Sequence, residues 1–161
     1  MKLQIKVGGA ELFRFNLRHT YRSVTGMIGL ALSVGALVLA AVTWGSTEGY
    51  QTALLLCIGL YYTVLHPWML RSRSYATAKN QPMFQEPMNY EFQEDSFTVE
   101  QGEAKASYLW DDVMKVVDTK KDFILYMDKV HAHILPKDQM EGRDKELGDF
   151  LRKNLPAGKI R

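Results

Sequence analysis

Two long apolar segments, residues 23–44 and 50–70, constrain the fold of this chain more than any other feature of its sequence. Neither segment contains Lys, Arg, Asp or Glu. Each is about as long as a helix must be to cross a hydrocarbon core of roughly 30 Å. Inside lipid every backbone donor and acceptor must be paired within the chain, so such runs are stable as helices. Because only residues 45–49 separate them, the sequence predicts an antiparallel transmembrane hairpin.

The charges that flank the hairpin indicate its orientation. The Lys and Arg residues of this half of the chain lie before the first segment or after the second, whereas the turn carries only Glu48. The positive-inside rule places such flanks in the cytoplasm, so we predict cytoplasmic termini and an external turn. Trp and Tyr are enriched at both interfaces of a membrane. The predicted interface residues are Arg14, Arg18, Arg22, Trp44, Tyr50, Trp68, Arg71 and Arg73.

Small residues in the first segment predict a close helix contact. Gly26, Gly29 and Ser33 form a stripe that allows another backbone to approach. The first interpretation is that this stripe packs against the second segment of the same chain. A homodimer face is the alternative.

The second segment contains one polar irregularity, His66 followed by Pro67. Proline removes a backbone hydrogen bond and clashes with the preceding turn, so we expect a kink or a helix end here. Because His66 lies near the predicted cytoplasmic end, an interfacial anchor is the first interpretation. A gating or proton-carrying role is the alternative for a histidine in a span.

The residues before the hairpin form two further patterns. Residues 1–7 alternate strictly, with Leu3, Ile5 and Val7 on one face, which predicts a half-buried strand. A lone strand is not stable, so we expect it to join a sheet in the C-terminal half. Residues 10–22 predict a basic amphipathic helix at the inner interface, with either an ordinary anchoring role or a role in sensing anionic lipids.

The C-terminal half has the pattern of a small α+β domain. Short alternating segments separated by polar turns indicate an antiparallel meander. Residues 143–154 predict a helix with Leu147, Phe150 and Leu151 on one face, which can cover the sheet. The predicted strands cover residues 89–94, 97–101, 104–110, 113–117, 122–128 and 130–135. The predicted domains are residues 1–22 (strand and basic helix), 23–70 (hairpin), 71–87 (linker) and 88–157 (cytoplasmic domain).

The two halves of the chain differ in charge. Residues 1–81 carry eight Lys or Arg and two Asp or Glu, whereas residues 82–161 carry twelve and sixteen. A basic collar is stabilised beside an anionic leaflet. An acidic domain does not attract nucleic acid, so we expect no nucleic-acid partner. The single cysteine, Cys57, excludes an intramolecular disulfide.

Several runs of residues give the chain a family resemblance. They are the strand pair of residues 89–101, the run of residues 107–110 leading to 113–117, the strand of residues 123–127, and residues 134–137 before the helix. With the two spans, this layout resembles the YcxB-like family of bacterial membrane proteins. The resemblance implies a domain like bacterial pleckstrin-homology domains, a bent antiparallel sheet with a C-terminal helix. It implies no catalytic residues.

The sequence contains only weak candidates for a catalytic or metal-binding site. His131 and His133 are two apart on a predicted strand and share a face, but no third ligand is near in sequence, so we expect a solvated face. Asp111 and Asp112 are adjacent at a turn or strand edge without a nucleophile or base. We therefore predict no catalytic, cofactor-binding or metal residues. Trp110 is interpreted as a core anchor, with a peptide-binding groove as the alternative.

These patterns favour a non-catalytic protein of the bacterial inner membrane. In the first hypothesis, the hairpin anchors a cytoplasmic protein-interaction domain, and the partners are membrane lipids with a membrane protein or further copies of the chain. The alternative is an accessory or immunity subunit that packs against a transporter or blocks a membrane-active toxin through its hairpin.

Overall fold

The computed structural model describes residues 1–129 and 131–160. These residues form two compact units that are not successive along the chain. The helical unit consists of residues 12–77. The sheet unit combines residues 1–11 with the chain from residue 78 onward, so the helical unit is inserted within it.

The described residues of the sheet unit form seven strands in two antiparallel sheets. The first sheet has the order β1-β2-β3-β4 and the second has the order β5-β6-β7. Polar turns join β2 to β3, β3 to β4 and β5 to β6, and Gly102 in the β3–β4 turn has a φ of +56°, which glycine adopts without strain. The strands are β1 (Lys2–Ile5), β2 (Met88–Phe92), β3 (Ser96–Gln101), β4 (Ala104–Leu109), β5 (Lys115–Asp118), β6 (Asp122–Tyr126) and β7 (Ala132–Pro136).

Two sheets replace the continuous meander that the sequence predicts. A 3-10 turn, Trp110–Asp112, follows β4, and the residues after it lead the chain into β5. Since Trp110 is buried, the chain turns inward at this point and cannot continue the first sheet. The domain is antiparallel with a C-terminal helix, as predicted.

The N-terminal strand joins the first sheet. β1 pairs with β2 in antiparallel register, with Leu3 opposite Tyr90 and Ile5 opposite Met88. As the strict alternation predicts, one face of this segment is buried: Leu3, Ile5 and Val7 are all inaccessible to solvent or nearly so. This confirms that the N-terminal strand belongs to the sheet.

The C-terminal helix α5 (Asp144–Asn154) completes the core of the sheet unit. Leu147 and Leu151 are buried completely or nearly so, and Phe150 lies within ring-contact distance of Phe92. Asp144 and Glu146 in the first turn and basic residues in the last turn complement the helix dipole.

The helical unit begins within α1 (Gly9–Arg22) and contains the two apolar helices. The first is α2 (Val24–Val42), whose start is capped by the Ser23 hydroxyl, which accepts from the Gly26 N–H at 3.0 Å. The second consists of α3 (Gly49–Leu60), a π-helical turn at Tyr61–Leu65 and α4 (His66–Asn80).

Pro67 does not end the second apolar helix. The π-helical turn lies directly before His66, whose N–H donates to the Tyr61 carbonyl instead of the carbonyl four residues back. A proline has no N–H to donate, and a wider turn on its N-terminal side lets the helix continue past it. The helix therefore extends over Gly49–Asn80, which is 32 residues.

The chain differs from several of the sequence-based boundaries. Residues 71–80 of the predicted linker are helical, because the next proline after Pro67 is Pro82, which disfavours a helical conformation at the residue before it, Gln81. The fifth strand begins at Lys115 and the last one at Ala132, later than predicted. Val130, the predicted start of the last strand, lies outside the described residues.

Candidate functional site

The helical unit is held together by a close contact between α2 and α3. The Ser33 hydroxyl is buried and donates to the Ile58 carbonyl at 3.0 Å. A side chain at Gly29 would overlap the Tyr62 ring, with its Cβ 2.5 Å from Cζ. On the other helix, a Cβ at Gly59 would lie 2.5 Å from the Leu37 side chain. Small residues on both helices therefore allow this approach.

Gly26 has a different role from the one that the sequence predicts. A side chain on Gly26 would overlap the Thr20 carbonyl of the preceding turn, not a residue of α3. Gly26 therefore allows the close turn between α1 and α2 at Ser23. Sequence reasoning missed Gly59, although it is the only glycine in the second apolar run.

The outward faces of both apolar helices consist of large apolar side chains. On the first helix, Val24, Leu32 and Val42 are 69%, 65% and 76% exposed. On the second helix, Leu54 and Val64 are 60% and 59% exposed. A core helix of a water-soluble protein buries such side chains against its neighbours. Both helices are long and apolar enough to cross a membrane.

The predicted interface residues lie around the turn of the hairpin, on α1 and on α4. Trp44 follows α2 and Tyr50 is the second residue of α3, and both are largely exposed. Arg14, Arg18 and Arg22 recur every four residues along α1 and therefore share a face. Trp68, Arg71 and Arg73 are exposed on α4.

An aromatic cluster that the sequence did not predict connects α1 with the second apolar helix. The Tyr21 hydroxyl donates to the Tyr62 carbonyl at 2.5 Å. The rings of Tyr62 and His66 are stacked, with centroids 4.9 Å apart. Tyr62 lies in the π-helical turn, so this turn directs both its carbonyl and its ring toward the cluster. A second link is the hydrogen bond from the Asn16 amide to the buried Ser74 hydroxyl, at 2.9 Å.

Trp110 lies in the core of the sheet unit. It is 4% exposed, and its indole N–H donates to the Gln93 carbonyl at 3.0 Å. Its ring lies against those of Phe97 and Phe150, at centroid distances of 5.2 and 5.9 Å. This position leaves almost none of the indole surface accessible to a peptide.

His133 lies on β7 and His131 lies directly before it, and the two side chains have different environments. The prediction of a solvated strand face is wrong for His133. His133 Nδ1 lies 3.1 Å from the Tyr90 hydroxyl, and the ring also contacts Phe97 and Tyr108. Burial lowers the pKa of His133 below its ordinary value. His131 precedes the strand, is exposed and lies 2.6 Å from Asp128. Local alternation could not reveal that distant rings enclose His133.

Both aspartates of the β4–β5 connection have structural contacts, Asp112 through its carboxylate and Asp111 through its backbone carbonyl. Asp112 accepts from the Leu109 N–H at 3.1 Å, and the Asp111 carbonyl accepts from the Lys159 ammonium at 3.0 Å. Among residues 1–129 and 131–160, no group of three or more His, Cys, Asp or Glu side chains is arranged to hold a metal ion. These contacts explain the two aspartates as elements of a turn.

The sheet unit, which consists of antiparallel strands and a closing helix, is similar in sequence to one known protein family. Residues 92–155 match the family model described as YcxB-like protein. The search of curated proteins and the search of solved structures gave no match.

The YcxB-like match begins at the last residue of β2 and includes β3 to β7 and α5. It confirms the resemblance for the sheet unit, including residues 107–110 and 134–137, on which that resemblance was based. It does not extend to β1 or to the apolar helices. The matched region is thus the part of the chain that contains the buried Trp110 and the partly buried His133.

Proposed function

We propose that this chain is a bacterial inner-membrane protein whose helical hairpin anchors a small, non-catalytic interaction domain at the cytoplasmic surface. The observation that carries the proposal is the exposed apolar surface of the two helices, such as Leu32 and Leu54. At about 25 cal/mol per Å² of apolar surface, leaving these faces in water is far less favourable than placing them in lipid. The YcxB-like match of the sheet unit adds support.

The order of the strands and helices along the chain supports a sheet domain that lies on one side of the membrane. β1 precedes the hairpin and β2 follows it, yet the two strands are paired. Both ends of the hairpin must then be on the same side as the sheet, which an even number of spans allows. The basic flanks, with Arg22 before the first span and Arg71 after the second, favour the cytoplasmic side.

The open edge of the first sheet supports an interaction role. Among the described residues β4 pairs with β3 alone, and most of its side chains are exposed, including Leu109 at 55%. An unpaired strand edge can accept a further strand from a partner. Anchoring at a membrane raises the effective concentration for neighbouring proteins, so weak contacts suffice. The order of seven strands and the closing helix favour a pleckstrin-homology-like identity for the domain.

The membrane arrangement is tested by the accessibility of single cysteines. In a Cys57→Ser background, Ser46→Cys should react with a membrane-impermeant maleimide on intact cells, because it lies in the turn. Ser107→Cys, on exposed β4, should react only after the membrane is permeabilised. Labelling of both positions on intact cells, or release of the chain by alkaline carbonate, would refute the proposal.

The interaction role is tested by site-specific photocrosslinking in native membranes. A photoreactive residue at Ser107 or Leu109 should give a discrete protein adduct, either with a partner or with a second copy of the chain. The matched control is Lys120, which is exposed in the β5–β6 turn. The absence of an adduct, or the same adducts from Lys120, would contradict an interaction surface at β4.

The accessory- or immunity-subunit hypothesis receives no comparable support. It requires the small-residue stripe of the first span to face another protein. Gly29 and Ser33 instead contact Tyr62 and Ile58 of the same chain.

A further inference from the structure

A groove lies along α1 within the helical unit. It has a volume of about 620 Å³, within the range of roughly 300–1,000 Å³ that is typical of ligand pockets. Arg14, Arg18 and Arg22 line one wall. The apolar side chains of Leu17, Leu30 and Pro67 and the ring of Tyr62 line the rest.

Arg18 and Arg22 give the groove a positive charge that residues 12–77 do not balance. At 1.5 Å per residue, four-residue spacing places successive arginines about 6 Å apart along the helix. The only acidic side chain in residues 12–77 is Glu48, which lies in the turn at the far end of the hairpin. Among the described residues, the guanidinium groups of Arg18 and Arg22 make no ion pair.

The other polar groups of the groove are already satisfied within the protein. The Tyr21 hydroxyl donates to the Tyr62 carbonyl, and the Thr63 hydroxyl donates to the Gly59 carbonyl at 2.7 Å. Arg18 and Arg22 are therefore the polar groups that can bind a ligand. Guanidinium groups form strong, bidentate hydrogen bonds with phosphate oxygens.

The combination of charge and apolar wall selects one class of ligand. A free phosphate would satisfy the arginines but leave the apolar wall in contact with water, whereas a neutral lipid would do the reverse. We propose that the groove binds one anionic phospholipid, whose phosphate lies against Arg18 and Arg22 and whose acyl chain lies along Leu17 and Leu30. This inference rests on the membrane location proposed above.

The test compares lipid binding by native mass spectrometry of the full chain in non-ionic detergent. Phosphatidylglycerol and phosphatidylcholine with identical acyl chains are added in turn. The wild-type chain should retain phosphatidylglycerol about tenfold better, because charge-assisted hydrogen bonds of this kind contribute strongly. Equal retention of the two lipids would overturn the proposal.

Matched variants locate the binding site. Arg18→Gln/Arg22→Gln should lose the preference for phosphatidylglycerol, whereas Arg71→Gln/Arg73→Gln, which removes the same charge elsewhere, should keep it. An equal loss in the second pair would mean diffuse electrostatic attraction and overturn the site. Because the Arg22 side chain is exposed, Arg22→Gln alone tests the site without disturbing the fold and should weaken retention severalfold.

Two controls separate the possible explanations. An excess of glycerol 3-phosphate should not displace phosphatidylglycerol, and displacement would indicate a site for soluble phosphate instead. Carbonate extraction of the same wild-type chain from cell membranes tests the membrane location independently. A chain that stays in the membrane but shows no lipid preference refutes only this inference, whereas a chain that is extracted refutes the proposed function as well.

Discussion

His133 is a titratable side chain enclosed by aromatic rings. Its Nδ1 atom lies 3.1 Å from the Tyr90 hydroxyl, and its ring centroid lies 5.7 Å from that of Phe97 and 5.4 Å from that of Tyr108. Burial lowers the pKa of His133 because the partly buried ring is less well hydrated when it is charged. The same burial raises the pKa of Tyr90, so both partners are neutral near pH 7.

This environment predicts that acid destabilises the sheet domain. In the unfolded chain His133 takes up a proton near its ordinary pKa of about 6.5, whereas in the folded chain it does so only at lower pH. Its contribution to stability is therefore complete above about pH 6.5 and decreases below it, by at most about 1.4 kcal/mol per pH unit.

Urea unfolding of the full chain in detergent checks this dependence. Trp110 fluorescence, in a Trp44→Phe/Trp68→Phe background, reports the free energy of unfolding at several pH values. In His133→Gln the free energy of unfolding should decrease less steeply as the pH falls below about 6.5. The exposed His131→Gln serves as the control and should keep that loss. An unchanged slope in His133→Gln would show that other groups cause it.

The buried position of Trp110 gives a second prediction, which concerns the stability of the sheet domain. Trp110→Ala removes a buried ring and the hydrogen bond to the Gln93 carbonyl, so it should destabilise the sheet domain by about 3–5 kcal/mol. Trp68→Ala removes the same side chain from an exposed position and should leave the sheet domain unchanged. Hydrogen exchange of residues 88–126, measured by mass spectrometry, distinguishes the two outcomes. Similar protection in both variants would contradict a core role for Trp110.

Among the elements, β1 depends most on distant parts of the chain. One edge pairs with β2, and on the other side the Gln139 side chain bonds both the N–H and the carbonyl of Lys6, at 2.8 and 2.9 Å. Arg143 adds a bond to the Lys2 carbonyl at 3.1 Å. These contacts fix a strand that has no neighbour in sequence.

Removing the buried face of β1 should therefore destabilise a domain about 80 residues away in sequence. Ile5→Ala should cost about 2–5 kcal/mol of unfolding free energy, because Ile5 is completely buried. Gln4→Ala, on the exposed face of the same strand, is the control and should cost less than about 1 kcal/mol. Urea unfolding followed by Trp110 fluorescence measures both. Equal effects would mean that β1 contributes little to the core.

The pair of apolar helices gives a prediction at the same scale. Gly59→Leu should separate α3 from α2, because its side chain would overlap Leu37 and approach the Ser33 carbonyl. Gly35→Leu is the control, since a side chain there meets open space. Faster hydrogen exchange in residues 24–60 is expected for Gly59→Leu alone. Equal exchange in the two variants would indicate that the helices do not depend on close packing.

For the whole molecule, the hairpin is an insertion in the first connection of a sheet domain. Since Ile5 lies opposite Met88, the sheet itself needs only a short loop at this place. A chain in which a short Gly/Ser loop joins residues 1–8 to residues 86–161 should fold as a water-soluble domain. Residues 86–161 alone should be destabilised, because they lack β1. Circular dichroism and gel filtration test both chains, and an equally stable pair would contradict the insertion.

The sequence by itself determined the features that depend on local periodicity. Uncharged apolar runs indicated the hairpin, strict alternation indicated β1 and most of the later strands, and an apolar face indicated α5. In each case neighbouring residues carry the signal, because helices and strands repeat over two to four residues. The position of Gly29 and Ser33 against the second span also agrees with the expectation from spacing.

Only the tertiary structure decided which distant groups meet. The division into two sheets, the enclosure of His133 by Tyr90, the contact of Gly59 with Leu37 and the aromatic cluster at Tyr62 all join residues that are far apart in sequence. No local period encodes such contacts, because they depend on how whole elements pack. The continuation of the second helix past Pro67 was also seen only in the structure, where a π-helical turn at Tyr61–Leu65 accommodates the proline.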